Sequence, residues 1–290
     1  MILSSHRLLS EIVIFLVENM IMMVLQKWFF CFLFLLLAGN IAADPDAGRE
    51  VKNTAFQPGE LLVFRAVYNS RVTGNIPAGT ASLEIKPDLI AEDGKRLMHI
   101  EGTAGTSGVI NWFFRVENRY DSFIEEKSVA PVRFFRNIRE GRYRREDLVH
   151  FDNKNNLAYS NRDTIETPPY VQDIISAFYF ARTFSMDSVE VGDAFYVDFH
   201  LSDSVYVTRI LFEGHEQIRI GLGTFNTLKF KPQVQEGTVF DQPYPMTLWI
   251  SDDKNKIPVL IESGLKVGAV RLELIQFGGL RNMIESFVPR

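Results

Sequence analysis

Short runs in which apolar and polar residues alternate follow one another over residues 59–277, and turn-forming residues separate them. This alternation is typical of β-strands with one face in a core, because successive side chains of a strand point to opposite faces. Asp93-Gly94 is one such turn, and the run 112–120 is one such strand. The spacing predicts a mainly β fold: a strongly curved antiparallel sheet or a partly open β-barrel. A two-sheet β-sandwich is the alternative.

One segment breaks this pattern. Residues 173–182 contain no glycine or proline, and their apolar positions recur at helical spacing. We therefore predict one mid-chain helix over about 171–184 that packs against the sheet. Its buried side chains are expected to be Ile174, Phe178 and Ala181.

The N-terminus carries a second strong signal. An apolar run over 28–38 follows Lys27 and precedes Ala42-Ala43. A cation, a short apolar run and small residues in this order predict a secretory signal peptide, cleaved after Ala43. The run is too short for a comfortable membrane span, and an uncleaved anchor is the alternative. Translation is expected to start at Met20, Met22 or Met23.

The chain then divides into four parts: 1–43, the N-terminal extension and signal peptide; 44–58, a polar lead-in; 59–279, a single β-rich domain; and 280–290, a C-terminal tail. Cleavage after Ala43 would remove Cys31, the only cysteine. The mature chain would then have neither a disulfide nor a thiolate nucleophile. We expect no stable membrane span after cleavage. The net charge of −5 argues against a nucleic-acid partner.

Common catalytic and cofactor motifs are missing from the sequence. The five histidines form no His-Glu-x-x-His motif, and Gly221-Leu222-Gly223 lacks the third glycine of a dinucleotide-binding loop. We therefore predict no metal site and no cofactor. Catalytic residues stay unassigned.

The densest polar feature is the segment 133–145, which alternates arginines with apolar residues. If Glu140-Gly141 forms a hairpin turn, Arg133 and Arg139 point to one face and Arg136 points to the other. On the return strand, Arg142 and Arg144 share a face. Arginine forks suit carboxylates and phosphates, and aromatic rings suit sugar planes. The candidate site for an anionic glycan or lipid is Arg133, Arg139, Arg142, Arg144 and Tyr143. A solvated hairpin paired with nearby glutamates is the alternative.

Two adjacent carboxylates, Asp252 and Asp253, form a possible acidic site. They could bind calcium or act as an acid–base pair. Neighbouring strand residues face opposite sides, however, so a polar turn is the alternative.

Several segments together resemble a known family. These are Pro58-Gly59-Glu60-Leu61, Pro77-Ala78-Gly79-Thr80-Ala81, the helical segment 173–182, and Leu248-Trp249-Ile250-Ser251-Asp252-Asp253 followed by Ile257-Pro258-Val259. Their order over about 56–277 is similar to that of the secreted bacterial family numbered 3108 among the domains of unknown function. The resemblance implies an antiparallel β architecture and the periplasm or envelope of a Gram-negative bacterium. It implies no activity and no catalytic residues.

Two functions are compatible with these patterns. The first is a non-catalytic binding or scaffolding protein of the envelope, with an anionic or hydrophobic ligand, a glycan or a lipid, in the concavity of the sheet. The second is a hydrolase of envelope glycans or lipids that uses Asp252 with a strand histidine or Glu117. The sequence leaves the oligomeric state open.

Overall fold

The structure, a computed structural model, describes residues 48–70, 74–233, 245–264 and 268–289. The predicted signal peptide, its cleavage point and the candidate start residues lie outside these ranges. Within them, neither helix has the length and apolar character needed to cross a bilayer.

The described chain holds two helices and sixteen strands. The helices are α1 (Gly108–Phe113) and α2 (Ile174–Ala181). The strands are β1 (Leu61–Ser70), β2 (Gly74–Ile85), β3 (Ile90–Glu92), β4 (Lys95–Thr106), β5 (Glu117–Glu125), β6 (Pro131–Glu140), β7 (Tyr143–Asp152), β8 (Leu157–Ser160), β9 (Thr164–Glu166), β10 (Ala194–His200), β11 (Val205–Ile220), β12 (Gly223–Pro232), β13 (Met246–Ser251), β14 (Pro258–Gly264), β15 (Ala269–Gly278) and β16 (Phe287–Val288).

All of these strands belong to one antiparallel sheet. Its order is β10-β11-β12-β13-β14-β15-β1-β2-β4-β5-β6-β7-β8-β9, and β3 and β16 pair with β4 and β12. The sheet does not close into a barrel. The prediction of a mainly β, open antiparallel architecture is confirmed, and the two-sheet sandwich does not apply to the described residues.

The β6–β7 hairpin shows how the alternation forms the sheet. In β6, Phe134, Arg136 and Ile138 are buried, whereas Arg139 on the other face is exposed. Glu140 pairs with Tyr143, so the turn falls where the sequence predicts it. Gly141 adopts a φ of 54°, a left-handed conformation that costs glycine little.

Helix α2 begins at a capping box. The Asp173 carboxylate accepts hydrogen bonds from the backbone N–H of Ile175 (2.8 Å) and Ser176 (2.9 Å), and from the Ser122 hydroxyl (2.6 Å). These bonds satisfy N–H groups that a helix start leaves without an intrahelical partner. Burial raises the pKa of Asp173 to about 6 although these donors oppose the shift.

The predicted helix is present, but its predicted buried face is wrong by one position. Ile175 and Tyr179 are buried, whereas Ile174, Phe178 and Ala181 are only partly buried. Nearly every position of α2 is apolar, so periodicity could not identify the face that packs into the core.

Helix α1 corrects a second prediction, since residues 112 and 113 are helical and the strand begins only at Glu117. Gly108 starts this short helix with a φ of 57°. Ile110 is buried with Phe114 and Val116. The alternating pattern favoured a strand here because one helical turn leaves too few residues to show its own period.

Two clusters fill most of the interior. The larger one joins α2 and Phe56 to the inner faces of the strands from β4 to β8. The second includes Leu62, Phe225 and Leu274, and the C-terminal segment adds Leu280 and Ile284 to it.

Candidate functional site

An apolar cavity opens between the C-terminal end of α2 and the inner face of β10–β14. The centre of a water-sized molecule can reach about 100 Å³ of it, and its volume with the solvent in the open mouth is about 650 Å³. The lining residues are Phe178, Ala181, Arg182, Phe184, Met186, Phe195, Ile210, Leu228, Phe230, Leu248, Ile250, Lys256, Pro258 and Ile261. Twelve of these fourteen side chains are apolar, so the surface suits an apolar ligand.

Aromatic rings form a continuous wall of this cavity. Phe184 stacks on Phe195, with ring centroids 5.3 Å apart and planes inclined by 17°. Phe195 also meets Phe230 edge-on at 6.2 Å, and Phe212 lies behind Phe230 at 5.3 Å. Rings packed in this way are held in place by each other, which makes the wall stiff.

Arg182 is one of the two cations of the lining, and it is bound to other groups of the protein. Its guanidinium forms two hydrogen bonds to the Glu60 carboxylate (2.6 and 2.7 Å) and also donates to the Asn255 carbonyl (2.9 Å). Both charged side chains are buried. Burial by itself lowers the pKa of Arg182, but the Glu60 carboxylate outweighs it and the pKa is raised.

Lys256 is the other cation, and its ammonium group donates to the backbone carbonyls of Arg182 (3.2 Å) and Phe184 (2.5 Å). Burial and the nearby Arg182 guanidinium lower the pKa of Lys256. Both cations therefore fix the wall that follows α2. The other twelve lining side chains are apolar.

The arginine hairpin, the β6–β7 hairpin with the arginines of 133–145, has arginine side chains on both faces of the sheet. Arg139 and Arg144 lie directly opposite each other on the outer face. Arg142 is exposed in the turn between them. In the described part of the chain, none of these three arginines pairs with a carboxylate: Arg139 contacts the Asn137 side chain, and Arg144 donates to backbone carbonyls of the turn.

The other two residues of the predicted hairpin site lie elsewhere. Arg133 is at the opposite end of β6, where it pairs with Glu92 (3.2 Å) and covers the Phe123 ring at 4.3 Å. Tyr143 packs against the larger core cluster on the inner face. The structure therefore brings together Arg139, Arg142 and Arg144 but neither Arg133 nor Tyr143.

Other arginines near this segment stabilise the inner face. As the period-two rule predicts, Arg136 points inward, where it contacts Asp147 and donates to the Ser202 hydroxyl (2.8 Å). Arg145 and Arg162 bind the same Asp147 carboxylate (2.7 and 3.2 Å). Burial acts to raise the pKa of Asp147, but the arginines outweigh it and the pKa is lowered.

The two aspartates of the predicted acidic site have separate partners. Asp252 is exposed and its Oδ2 lies 3.0 Å from Nδ1 of His215 on β11. Asp253 accepts hydrogen bonds from the Ser286 hydroxyl (2.7 Å) and the Asn255 N–H (2.9 Å), so it stabilises a turn. Glu117 is exposed and pairs with Arg115. The described ranges hold no group of three His, Cys, Asp or Glu residues that could bind a metal ion.

The cavity itself was missed by the sequence reasoning, which proposed only that a ligand would lie in the concavity. Phe195, Leu228 and Leu248 alternate on β10, β12 and β13 like ordinary core residues. The one usable signal was Phe184 and Met186, two large apolar side chains beyond the end of a helix. The alternation of apolar and polar residues does not indicate whether a second layer covers the inner face of the sheet.

Three solved structures are similar to this chain to different degrees. A β-barrel-like protein from Brucella abortus, of the domain of unknown function DUF1849, matches 80% of this chain and 99% of its own at 8% identity and a TM-score of 0.50. A "putative lipoprotein" from Parabacteroides distasonis has 13% identity, a TM-score of 0.37, and coverage of 79% and 99%. A "putative exported protein" with a YmcC-like fold from Bacteroides fragilis has 10% identity, a TM-score of 0.31 and the same coverage.

A search of curated proteins found no match. The family described as "protein of unknown function (DUF3108)" matches residues 63–275, a range that runs from within β1 to within β15 and includes both helices. This match covers more than half of the sequence, and it agrees with the resemblance noted from the sequence. The chain therefore belongs to the DUF3108 family.

Proposed function

We propose that the protein is an exported, non-catalytic binding domain that holds an acyl chain of an envelope lipid in the apolar cavity. The observation that carries this proposal is the lining: twelve of fourteen residues are apolar, and the two cations are engaged by protein groups. Each methylene group of a ligand that leaves water for such a surface contributes about 0.8 kcal/mol. The export part of the proposal rests on the N-terminal segment 1–43.

The lining also favours a chain over a compact polar ligand. Polar specificity in a ligand pocket comes from a few oriented donors and acceptors. Here Arg182 and Lys256 already donate hydrogen bonds to carboxylate and carbonyl oxygens of the protein. A sugar in this cavity would therefore lose hydrogen bonds to water without replacing them.

The test is to fill the cavity. Ile210→Trp places an indole in the lining, whereas Val207→Trp places the same group on the exposed face of the same strand, β11. With the fluorescent fatty acid cis-parinaric acid as probe, we expect Ile210→Trp to weaken binding at least about tenfold, since a displaced acyl segment loses several methylene contacts.

The matched variant should bind the probe like the wild type. Mass spectrometry of lipids that co-purify with the wild type gives the native ligand class. Equal binding of cis-parinaric acid by Ile210→Trp and the wild type would contradict the proposal.

One contact supports the hydrolase alternative. Asp252 and His215 are paired, as acid–base catalysis with a strand histidine requires. The His215 side chain is 66% exposed and that of Asp252 39%, and the pair is not part of the cavity lining. Release of product from envelope lipid or glycan by the wild type, lost in Asp252→Asn, would favour this alternative.

A further inference from the structure

An exposed apolar group lies at one end of the molecule, outside the cavity. Trp112 on α1 is 83% exposed, and Val109 (61%) and Phe113 (46%) accompany it on the same short helix. A tryptophan exposed to this degree is uncommon, because its ring is among the largest apolar surfaces a side chain has. Several such side chains on one helix mark an interaction surface.

The helix that carries these side chains is firmly held. Ile110 packs with Phe114 and Val116 beneath it. The Thr106 hydroxyl donates to the Phe114 carbonyl (3.1 Å) and accepts from the Val116 N–H (2.9 Å). Trp112 therefore projects from a fixed platform, and its exposure does not result from a loose chain.

The arginine hairpin lies directly beside this platform. The Gly141 N–H donates to the Arg115 carbonyl (2.9 Å), and Val116 forms a β-bridge with Glu140. A side chain at Gly141 would approach the Phe114 ring to 2.8 Å. The tip of the β6–β7 hairpin and α1 thus form one surface.

The charges on this surface are mostly positive. Arg139, Arg142 and Arg144 have no carboxylate partner in the described part of the chain, and Arg115 pairs with Glu117 at the margin. The net charge of the whole chain is −5, so this cluster is positive although the chain as a whole is negative. We name the surface formed by Val109, Trp112, Phe113, Arg139, Arg142 and Arg144 the docking tip.

We propose that the docking tip binds the surface of a membrane that contains anionic phospholipids. Tryptophan prefers the level of the head groups, where its apolar ring can enter and its N–H group stays in contact with water. Phenylalanine beside it can enter the boundary between head groups and acyl chains. Arginines beside them attract anionic head groups. A soluble anionic glycan would use the arginines but would have no need of three exposed apolar side chains on a helix.

The proposal is independent of the ligand in the cavity. The cavity lining shares no residue with the docking tip. Binding of cis-parinaric acid and binding to membranes are therefore separate readouts. Trp112→Ser should leave the first unchanged and impair the second.

The experiment is co-sedimentation of the exported and processed protein with vesicles, so that the apolar run 28–38 of the predicted signal peptide does not itself bind them. Vesicles of phosphatidylcholine with phosphatidylglycerol should bind the wild type, and vesicles of phosphatidylcholine alone should bind it less. Trp112→Ser should lower the partition coefficient about tenfold, and Arg142→Ser/Arg144→Ser by roughly tenfold at low salt, with a weaker salt dependence than the wild type. Tyr196→Ser, which removes an aromatic residue that is 61% exposed on β10, is the matched control and should bind normally.

Fluorescence gives an independent readout of the same step. Trp112→Phe keeps an apolar ring and should still bind, so the difference between its spectrum and that of the wild type isolates the emission of Trp112. That emission should shift to shorter wavelength with anionic vesicles. Three results would each overturn the proposal. They are normal vesicle binding by Trp112→Ser, no vesicle binding by the wild type at low salt, and a dimer of the wild type that does not bind vesicles and that Trp112→Ser dissociates.

Discussion

The two faces of helix α2 meet two very different environments. On one face, Ile175 and Tyr179 enter the cluster formed by Phe56 and the strands β4–β8. On the other face, Phe178 and Ala181 line the cavity over β10–β14. Strands of similar alternation thus line a filled interior on one side of the helix and an open apolar surface on the other.

The length of the helix explains the difference. Eight residues make a helix about 12 Å long, which is too short to cover a sheet of this many strands. The middle of the sheet, at β1 and β15, receives a second cover from Leu280 and Ile284. The inner face of β10–β14 is covered by a few side chains at and beyond the end of α2, among them Phe184, Met186 and Val189. The sheet keeps an accessible apolar surface beside them.

The largest effect on stability should come from the buried ion pair between Arg182, which lines the cavity, and Glu60. Arg182→Leu would leave the Glu60 carboxylate buried without its counter-charge, because the guanidinium supplies two hydrogen bonds of 2.6 and 2.7 Å to it. We expect a loss of about 3–5 kcal/mol in the free energy of unfolding. Urea denaturation followed by circular dichroism measures it.

The control for this variant is an ion pair on the outer face. Arg65 and Glu273 pair at 3.0 Å, but Arg65 is half exposed. Arg65→Ser should cost less than about 1 kcal/mol. Similar losses in the two variants would contradict the prediction, because the buried pair would then contribute no more to stability than the exposed one.

A smaller and more direct comparison uses the same substitution on the two sides. Ile175→Ala removes methyl groups from the filled cluster and should cost about 3 kcal/mol. Ile210→Ala removes them from the cavity lining, where one side of the isoleucine has no packed neighbour, and should cost about 1 kcal/mol. Thermal or urea unfolding gives both values. Equal losses would mean that the cavity wall is packed as tightly as the core.

The sequence was sufficient for those parts of this contrast that depend on local pattern. Alternation along β6 and the turn at Gly141 were predictable because period and turn chemistry involve neighbouring residues only. The capped helix was predictable because residues 173–182 lack both glycine and proline. The buried face of α2 was not predictable, because Ile174 and Ile175 are residues of the same type and differ only in what packs on them.

The candidate site was predictable to a smaller extent for the same reason. The concentration of arginines between 133 and 145 is visible in the chain, and so is the inward direction of Arg136. That Trp112 joins Arg142 on one surface depends on a contact between Arg115 and Gly141, which are 26 positions apart. Contacts at that separation follow from the sheet order, which alternation does not specify.

The smallest effect concerns two adjacent carboxylates near the open side. Asp253 accepts hydrogen bonds from the Ser286 hydroxyl (2.7 Å) and the Asn255 N–H (2.9 Å), so it ties the C-terminal segment to the turn that leads into β14. Asp253→Ala leaves these donors without an acceptor and should cost about 2 kcal/mol. Asp252→Ala removes only an exposed contact to His215 and should cost less than about 1 kcal/mol. Because the turn also positions the cavity wall, Asp253→Ala should weaken binding of cis-parinaric acid while Asp252→Ala should not; the same loss of stability and binding in both variants would remove the distinction between them.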